Sequence, residues 1–448
     1  MLNNLQQEKG LFWIIPISVI LILVSGIETW SAIGLCFAVV AIIKVLLKMG
    51  HSIPIVELMV SMSALQWIIG PFIDYHNGIT HYKYHMYVPE SEYMAFIVPA
   101  LLLFYAGTLW YKNTLDLDEL SERVSNLLDR HPKLPFILVA TGLAIPFING
   151  IVPPALRFIF FLLSNVKYVG AIYLLFSNHK NRWTIFMSTM ALTALASMAS
   201  GMFHDLLLWS MLTFTFVAKE LQLSTLKKIS IGIIGMLLAI TIQSVKADYR
   251  AIIHKGYSGN KAALFIGMAT ENWRSGGITN PTNEENMTAR LNQGWIISAV
   301  MYHVPQKEPY AGGSTIIEAL EASLLPRFLA PNKKKAGGRE NFMKYTGLPL
   351  GDNTSMGISI SGEAYANYGK YGGMLFMLIW GMFISWFWKK LGDLSNLYPT
   401  LLIWSPILFL QVIKAETEFV VVLNHLIKSG VLVFGLLWFI KKQWRITI

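Results

Sequence analysis

The sequence predicts an all-α, polytopic membrane protein with about twelve transmembrane helices and one large extracytoplasmic loop. Three observations carry that prediction. Of 448 residues 54% are hydrophobic and only 14% charged, the mean hydropathy is +0.49, and the apolar residues gather in runs near the ~20 residues that a helix needs to cross a hydrocarbon core. A chain of several soluble domains needs more charged surface than this. Disorder, a collagen repeat and a disulfide scaffold are excluded by the same composition. The single cysteine, Cys36, lies inside an apolar run and has no intramolecular partner. The net charge of +10 does not indicate nucleic acid, because most basic residues flank the apolar runs.

The first run, 11–27, follows Lys9 with no small-residue cleavage site after it and is expected to be a retained helix. Runs at 30–48, 53–73 and 92–112 come next. Leu115 to Arg130 is amphipathic, with Leu117, Leu120, Val124, Leu127 and Leu128 at helical spacing, which predicts an interfacial helix. Further spans are expected at 134–152, 155–177, 183–200, 203–219 and 228–245, and the last three at 371–388, 398–413 and 419–440. With a cytoplasmic N-terminus the inner loops collect Lys44, Lys48, Lys180, Arg182, Lys219, Lys227, Lys228, Lys389 and Lys390, and the tail carries Lys441, Lys442 and Arg445. That asymmetry predicts both termini inside. The chain thus divides into residues 1–245 with nine spans, a loop at 246–370 and residues 371–448 with three. No internal repeat is visible, which weakens an inverted-repeat transporter reading.

The loop is too long to be structureless without a function. Thr282 with Glu285, and Thr315 with Glu318, have capping-box spacing ahead of partly apolar runs, and the second run, Ile316 to Leu325, is too short to span. Fourteen lysines and arginines stand against ten acidic residues, and Arg327, Lys333, Lys334, Lys335, Arg339 and Lys344 fall within eighteen residues. Such a cluster suits a lipid headgroup or a diphosphate, arginine forks gripping best, and equally a solvated basic turn. A glycine- and hydroxyl-rich stretch, Gly351 to Gly373, leads to the tenth span; if Glu363 begins that helix, Asn367 shares its face.

The residues from Arg290 onward, Gly312-Gly313 before a helix, Pro326-Arg327-Phe328-Leu329-Ala330-Pro331-Asn332-Lys333, and Gly362-Glu363-Ala364-Tyr365-Ala366-Asn367-Tyr368-Gly369 resemble the Wzy-type oligosaccharide repeat-unit polymerases of O-antigen and exopolysaccharide synthesis. The likeness covers about a hundred residues of the loop. It implies a C-type glycosyltransferase architecture in the bacterial inner membrane, whose substrate is a polyprenyl-diphosphate-linked oligosaccharide and whose partners include the lipid bilayer and a chain-length regulator. A ligase that transfers finished glycan uses the same donor grip, and a polysaccharide or lipid transporter is the non-enzymatic alternative.

Such chemistry asks for cations on the leaving diphosphate, aromatic and hydroxyl surfaces for sugars, and a base for the attacking hydroxyl. Arg290, Arg327, Arg339, Lys333, Lys334 and Lys335 are the candidate cations. Trp295, Tyr365 and Asn367 are the candidate sugar contacts, with Trp273, Tyr302, Tyr310 and Tyr345 as further stacking faces. Glu363, where the loop re-enters the bilayer, is the first choice of base; His303 is second, ahead of His254 and Asp352, and a purely capping role for Glu363 stays open. Lys167, in the middle of the sixth span, is expected to face the bundle or a wet cavity, since a charge there costs about 2.5 to 3.5 kcal/mol. Arg157 points to the donor diphosphate or snorkels to headgroups. His76, His81 and His85 lack the further ligands that would specify a metal, and Asp116-Leu117-Asp118 reads as a solvated helix face, so neither metal nor cofactor is expected.

Overall fold

The computed structural model describes residues 14–77, 84–111, 116–148, 150–153, 156–277, 291–325, 329–330, 333–334, 337–352 and 354–448. Among them there is no strand. The helices in chain order are α1 Ile14–Ser25, α2 Thr29–Lys48, α3 Ile55–His76, α4 Glu90–Thr108, α5 Leu117–Arg130, α6 Leu134–Ile148, α7 Arg157–Leu175, α8 Arg182–Ser200, α9 His204–Glu220 and α10 Thr225–His254. They continue with α11 Lys261–Arg274, α12 Gly294–His303, α13 Ser314–Leu324, α14 Arg339–Thr346, α15 Ser359–Leu394, α16 Ser405–Phe409 and α17 Phe419–Trp444.

Among the described residues eight helices, α2, α3, α4, α7, α8, α10, α15 and α17, are long and apolar enough to cross a membrane, and α5 with α6, which meet at 93°, make a ninth if taken as one span. This is the build of a polytopic membrane protein. Its surface agrees: α10 exposes Ile229, Ile231, Ile233, Ile234, Met236, Leu237 and Leu238 along one run, a patch that water does not tolerate at this size.

The other expected spans differ in instructive ways. α1 is described over only 12 residues. α6 has 15 residues and α9 has 17, about 22 and 26 Å at the α-helical rise, short of a ~30 Å hydrocarbon core. The stretch expected to span at 398–413 is a 3₁₀ turn, Leu401–Trp404, followed by α16. Its irregular backbone is tolerated because every residue from Leu401 to Leu410 is buried in protein. This piece brings the chain back from the end of α15, where Arg123 of α5 donates to the Ser395 carbonyl at 3.0 Å, to the start of α17 beside Glu363.

Two close crossings set the frame. α4 and α15 run in the same direction and meet at Gly107 and Gly381; a Cβ on Gly107 would lie 2.3 Å from the Leu378 carbonyl oxygen, and one on Gly381 would lie 2.2 Å from that of Phe104. Without side chains between them the backbones approach closely enough for Ser385 Oγ to donate to Gly107 O at 3.1 Å. The amphipathic α5 buries Leu117, Leu120, Val124, Leu127 and Leu128 against the protein, with Asp116 capping its start through the Glu119 amide. It closes the end of the bundle opposite the loop.

The expected loop is largely helical and partly sunk into the bundle. α10 runs 30 residues, about 45 Å, so the ninth expected span, 228–245, continues as helix to His254. α11 folds back on it through Phe265, which packs with Phe203 and Tyr249. α12 is docked by a defect in α3: a π-turn at Leu65–Ile69 displaces carbonyls from the helical ladder, and they accept from Gln293 N at 3.1 Å and from the Tyr93 hydroxyl at 2.9 Å. α13 covers nearly the residues expected, but it begins at Ser314 behind Gly313, so Thr315 does not cap it as the spacing suggested. The capping-box pair Thr282 and Glu285 lies outside the described residues. α15 is two helices joined at Gly369, whose φ of 65° and ψ of −164° break the ladder. A Cβ on Gly373 would lie 3.2 Å from the Ala364 carbonyl, whereas nine residues of straight helix separate by about 13 Å. The first piece therefore folds sharply back over the second.

Gly381→Ala should lower the unfolding free energy in detergent by about 1 to 3 kcal/mol, the usual range for overpacking. Gly235→Ala, where an added Cβ meets nothing within 4 Å, should leave the melting temperature unchanged or raise it. Equal effects at the two positions would contradict the crossing.

Candidate functional site

At the loop end of the bundle two carboxylates are almost sealed from solvent: Glu363 in the first piece of α15 and Glu418 immediately before α17, each 1% exposed. Glu363 Oε2 accepts from the Phe419 amide at 2.8 Å. It thereby caps α17 from another helix, where an unsatisfied N–H and the positive end of the helix dipole favour an anion. Glu418 holds the N-cap position but does not cap; its Oε2 accepts from Asn341 Nδ2 of α14 at 2.9 Å. The second oxygens, Glu363 Oε1 and Glu418 Oε1, are buried and outside close hydrogen-bond geometry, with the Thr315 hydroxyl acting on the Glu363 carboxyl and the Gly338 amide on that of Glu418.

Lys334 is the counter-charge. Its ammonium donates to Glu318 Oε2 of α13 and to Asn341 Oδ1, both at 2.6 Å, with its side chain 11% exposed, and it acts electrostatically on both buried carboxyls. Glu318 is half exposed and shares Lys334 with solvent, whereas Glu363 and Glu418 have no solvent to offset their charge. Burial, and after it the Glu363 charge, pushes the Glu418 carboxyl, just outside the span Phe419–Trp444, above the usual carboxylate range. The chemical consequence is that Glu418 favours its protonated form, one residue from the amide that donates to the Glu363 carboxyl.

Asn367 fixes the neighbourhood. Its Oδ1 accepts from Gly313 N at 2.9 Å, and its Nδ2 donates to Thr315 Oγ1 at 2.7 Å and to Glu363 O at 2.8 Å. Every hydrogen of that amide is thus committed to seating α13 beside Glu363. The other two candidate sugar contacts are also inside: Trp295 is 3% exposed between Tyr84 and Phe342, and Tyr365 is 8% exposed with its ring edge-on to Phe96. Tyr302 and Tyr310 are exposed, whereas Tyr345 is buried.

Of the candidate cations, Lys334 acts on the two buried carboxyls, by its charge and through Asn341, while its ion pair is with Glu318. Lys333 caps the last turn of α13 by donating to the carbonyls of Ala322, at 2.8 Å, and Leu325. Arg339 pairs with Asp352 at 2.9 Å and donates to Leu350 O. Arg290, Arg327 and Lys335 lie outside the described residues. His303 ends α12 with its ring against Gly347, where an added Cβ would come 2.5 Å from Cε1, and it shares no hydrogen bond or ion pair with the carboxyls. His85 stacks on Tyr87, and His76 Nδ1 bonds Phe72 O.

Sequence reasoning passed over Glu418 and Asn341 and took Glu318 only as a capping-box partner. Glu418 left a signal, as the last of the acidic residues of Glu416-Thr417-Glu418 directly ahead of an apolar run; Asn341 left none, since only the docking of α14 brings it in. Comparison of the chain with protein-family models, with curated proteins and with solved structures finds no match.

The pair predicts a sign for the pH dependence of stability. Because the folded-state value of Glu418 is the raised one, its contribution is fully present below the ordinary glutamate value of 4.5 and is lost as pH rises through the folded-state value. Glu418→Gln, which keeps the shape and removes the titration, should flatten the decline of melting temperature above that pH. A decline identical to wild type would contradict the pairing.

Proposed function

We propose that the chain is a membrane glycosyltransferase that polymerises polyprenyl-diphosphate-linked oligosaccharide repeat units. The observation that carries this reading is that Glu363, within the stretch that resembles the Wzy-type polymerases, forms a buried carboxyl pair with Glu418 under Lys334 of the basic cluster. In the proposed reaction an acceptor hydroxyl attacks the anomeric carbon of the donor sugar. The bond from that carbon to the diphosphate oxygen breaks, its electron pair leaves with the lipid diphosphate, and the hydroxyl proton passes to Glu363 Oε1. Glu418 holds the pair's existing proton, which keeps Glu363 basic. Lys334, with Arg339 and the loop arginines, neutralises the departing diphosphate.

The pair is closed in the present arrangement, so substrate enters by parting α13 from α14, which Lys334 ties together through Glu318 and Asn341. α13 exposes Ile317, Leu320 and Leu324 along one stripe, suited to an isoprenoid tail. Asn367 and the buried aromatics position these helices, and exposed Tyr302 and Tyr310 offer the sugar surfaces. The reading includes twelve crossings, both termini cytoplasmic, the loop on the far side of the bacterial inner membrane and a chain-length regulator as partner. A proton-coupled transporter is the second reading, favoured by the same sealed carboxyls, since ionisable pairs inside helix bundles also serve proton relays.

Purified protein supplied with lipid-diphosphate oligosaccharide should produce a ladder of added repeats. A single addition to a different acceptor indicates a ligase, and no transfer together with proton-driven uptake in liposomes indicates the transporter. Glu363→Gln, if it folds and binds donor, should turn over at least a hundredfold more slowly, the lower range for loss of a general base. Ser275→Cys, on the exposed end of α11, should be labelled by a membrane-impermeant thiol reagent in cells with a permeabilised outer envelope. Labelling only after lysis of the inner membrane would overturn the topology.

A further inference from the structure

The bend at which α15 folds back on itself carries a pair of tyrosines that the carboxyl pair does not use. Residues 311–313 close the end of the first piece of α15. Ala311 N donates to Ala366 O at 2.9 Å, Gly312 N to Asn367 O at 3.1 Å and Gly313 N to Asn367 Oδ1 at 2.9 Å. Each side of this junction then lays a tyrosine on a glycine of the other. A Cβ on Gly369 would lie 2.9, 3.0 and 3.2 Å from Oη, Cζ and Cε1 of Tyr310, so that ring sets its face, not its edge, against the glycine. A Cβ on Gly313 would lie 2.9 Å from the Tyr368 hydroxyl. Gly313 and Gly369 have φ of 94° and 65°, where a side chain is strained.

Both rings remain open to the outside: Tyr310 is 43% and Tyr368 41% exposed, while Tyr365, edge-on to Tyr310, is buried. A tyrosine that only anchors a helix at the bilayer surface needs no glycine beneath it. The Tyr310 ring, held flat on backbone, is fixed in advance for a flat ligand on its other face. The surroundings are polar without a surplus of either charge. Glu92, exposed at the start of α4, acts on Tyr365, as does the Tyr310 hydroxyl, and Lys370 follows Gly369 in the chain. An anionic headgroup finds no cluster of cations here, whereas a sugar finds an aromatic face, phenol hydroxyls and a carboxylate.

We infer that Tyr310 and Tyr368 form a subsite for an uncharged sugar ring of a lipid-linked glycan. A pyranose has an apolar face of C–H groups that stacks on an aromatic face, and rim hydroxyls that bond phenols and carboxylates. That the sugar belongs to a lipid-linked glycan rests on the polymerase reading, and position supports it. Ser314, directly after Gly313, opens α13, whose exposed Ile317, Leu320 and Leu324 suit the isoprenoid tail. On the other side Asn367 Nδ2 donates to Thr315 Oγ1 and to Glu363 O, and Tyr368 follows Asn367, a helical turn of about 5.4 Å beyond Glu363. The rings thus stand where the tail stripe meets the proposed base. Tyr365 and Asn367 are spent on the scaffold, and their neighbours face outward.

The test is saturation-transfer NMR on the full-length protein in phosphatidylcholine nanodiscs. The probes are glucose, galactose, mannose, rhamnose, N-acetylglucosamine and N-acetylgalactosamine, with glucuronic acid as the charged counterpart. At least one neutral sugar should receive saturation, strongest on the protons of one ring face. Tyr310→Ala and Tyr368→Ala should each weaken its binding roughly two- to tenfold, as for loss of an aromatic partner, and Tyr310→Phe should keep most of it. Melting temperatures report folding, and Tyr310→Leu or Tyr368→Leu replaces an alanine variant that fails to fold. Three results would overturn the subsite: saturation of no neutral sugar, tighter binding of glucuronic acid, or unchanged affinity in the folded variants, as tyrosines that only anchor a helix would give. Because binding is read without turnover, tyrosine-dependent sugar binding in a protein that builds no ladder sinks the polymerase reading and leaves the subsite standing.

Discussion

The loop end of this protein is organised by the hydrogen bond from the Phe419 amide to Glu363. It joins the start of α15 to the start of α17, two helices whose connection runs through the whole bundle and back, and it places a carboxylate where an unsatisfied amide and a helix dipole receive it. Once Glu363 is held there, Glu418 lies next to it by chain connectivity, and the interior must accommodate two carboxyls where one charge is already expensive. A Glu418 carboxyl pushed above the usual range, the Asn341 amide and Lys334 are the accommodations. The positions of α13 and α14 follow from them, since these helices supply Glu318 and Asn341.

The frame beneath the site is rigid for a different reason. The Gly107–Gly381 crossing packs α4 against α15 at backbone distance, and the π-turn in α3 offers its displaced carbonyls to Gln293 and Tyr93. Residues far from the site in sequence thereby fix the depth at which α12 sits and the angle at which α15 folds at Gly369. A candidate site built from several separate segments needs such a frame, because small displacements would separate the carboxyls from their donors.

The sequence disclosed the parts whose physics is local. Apolar runs marked the long helices, the period of Leu117, Leu120, Val124, Leu127 and Leu128 marked α5, and the setting of Glu363 marked it as the residue to watch. The burial of the loop was not legible, since nothing local says that Trp295 and Tyr365 are enclosed, that Asn367 spends its amide on Gly313 and Thr315, or that Lys333 caps a helix while Lys334, one residue later, ties Glu318 to Asn341. Span lengths misled for a related reason. Hydropathy records that 398–413 is apolar but not that surrounding protein has replaced lipid, which frees its backbone from the helical requirement.

The central claim is that burial beside Glu363 keeps a proton on the Glu418 carboxyl inside the bundle. Infrared spectroscopy of the purified protein at neutral pH tests it most directly, by the carbonyl stretch of a protonated carboxyl shielded from exchange with deuterated solvent. The account predicts such a band in the wild type and its loss when Glu363 and Glu418 are both replaced by glutamine. Absence of the band from the wild type, or its persistence in the double variant, would contradict the account.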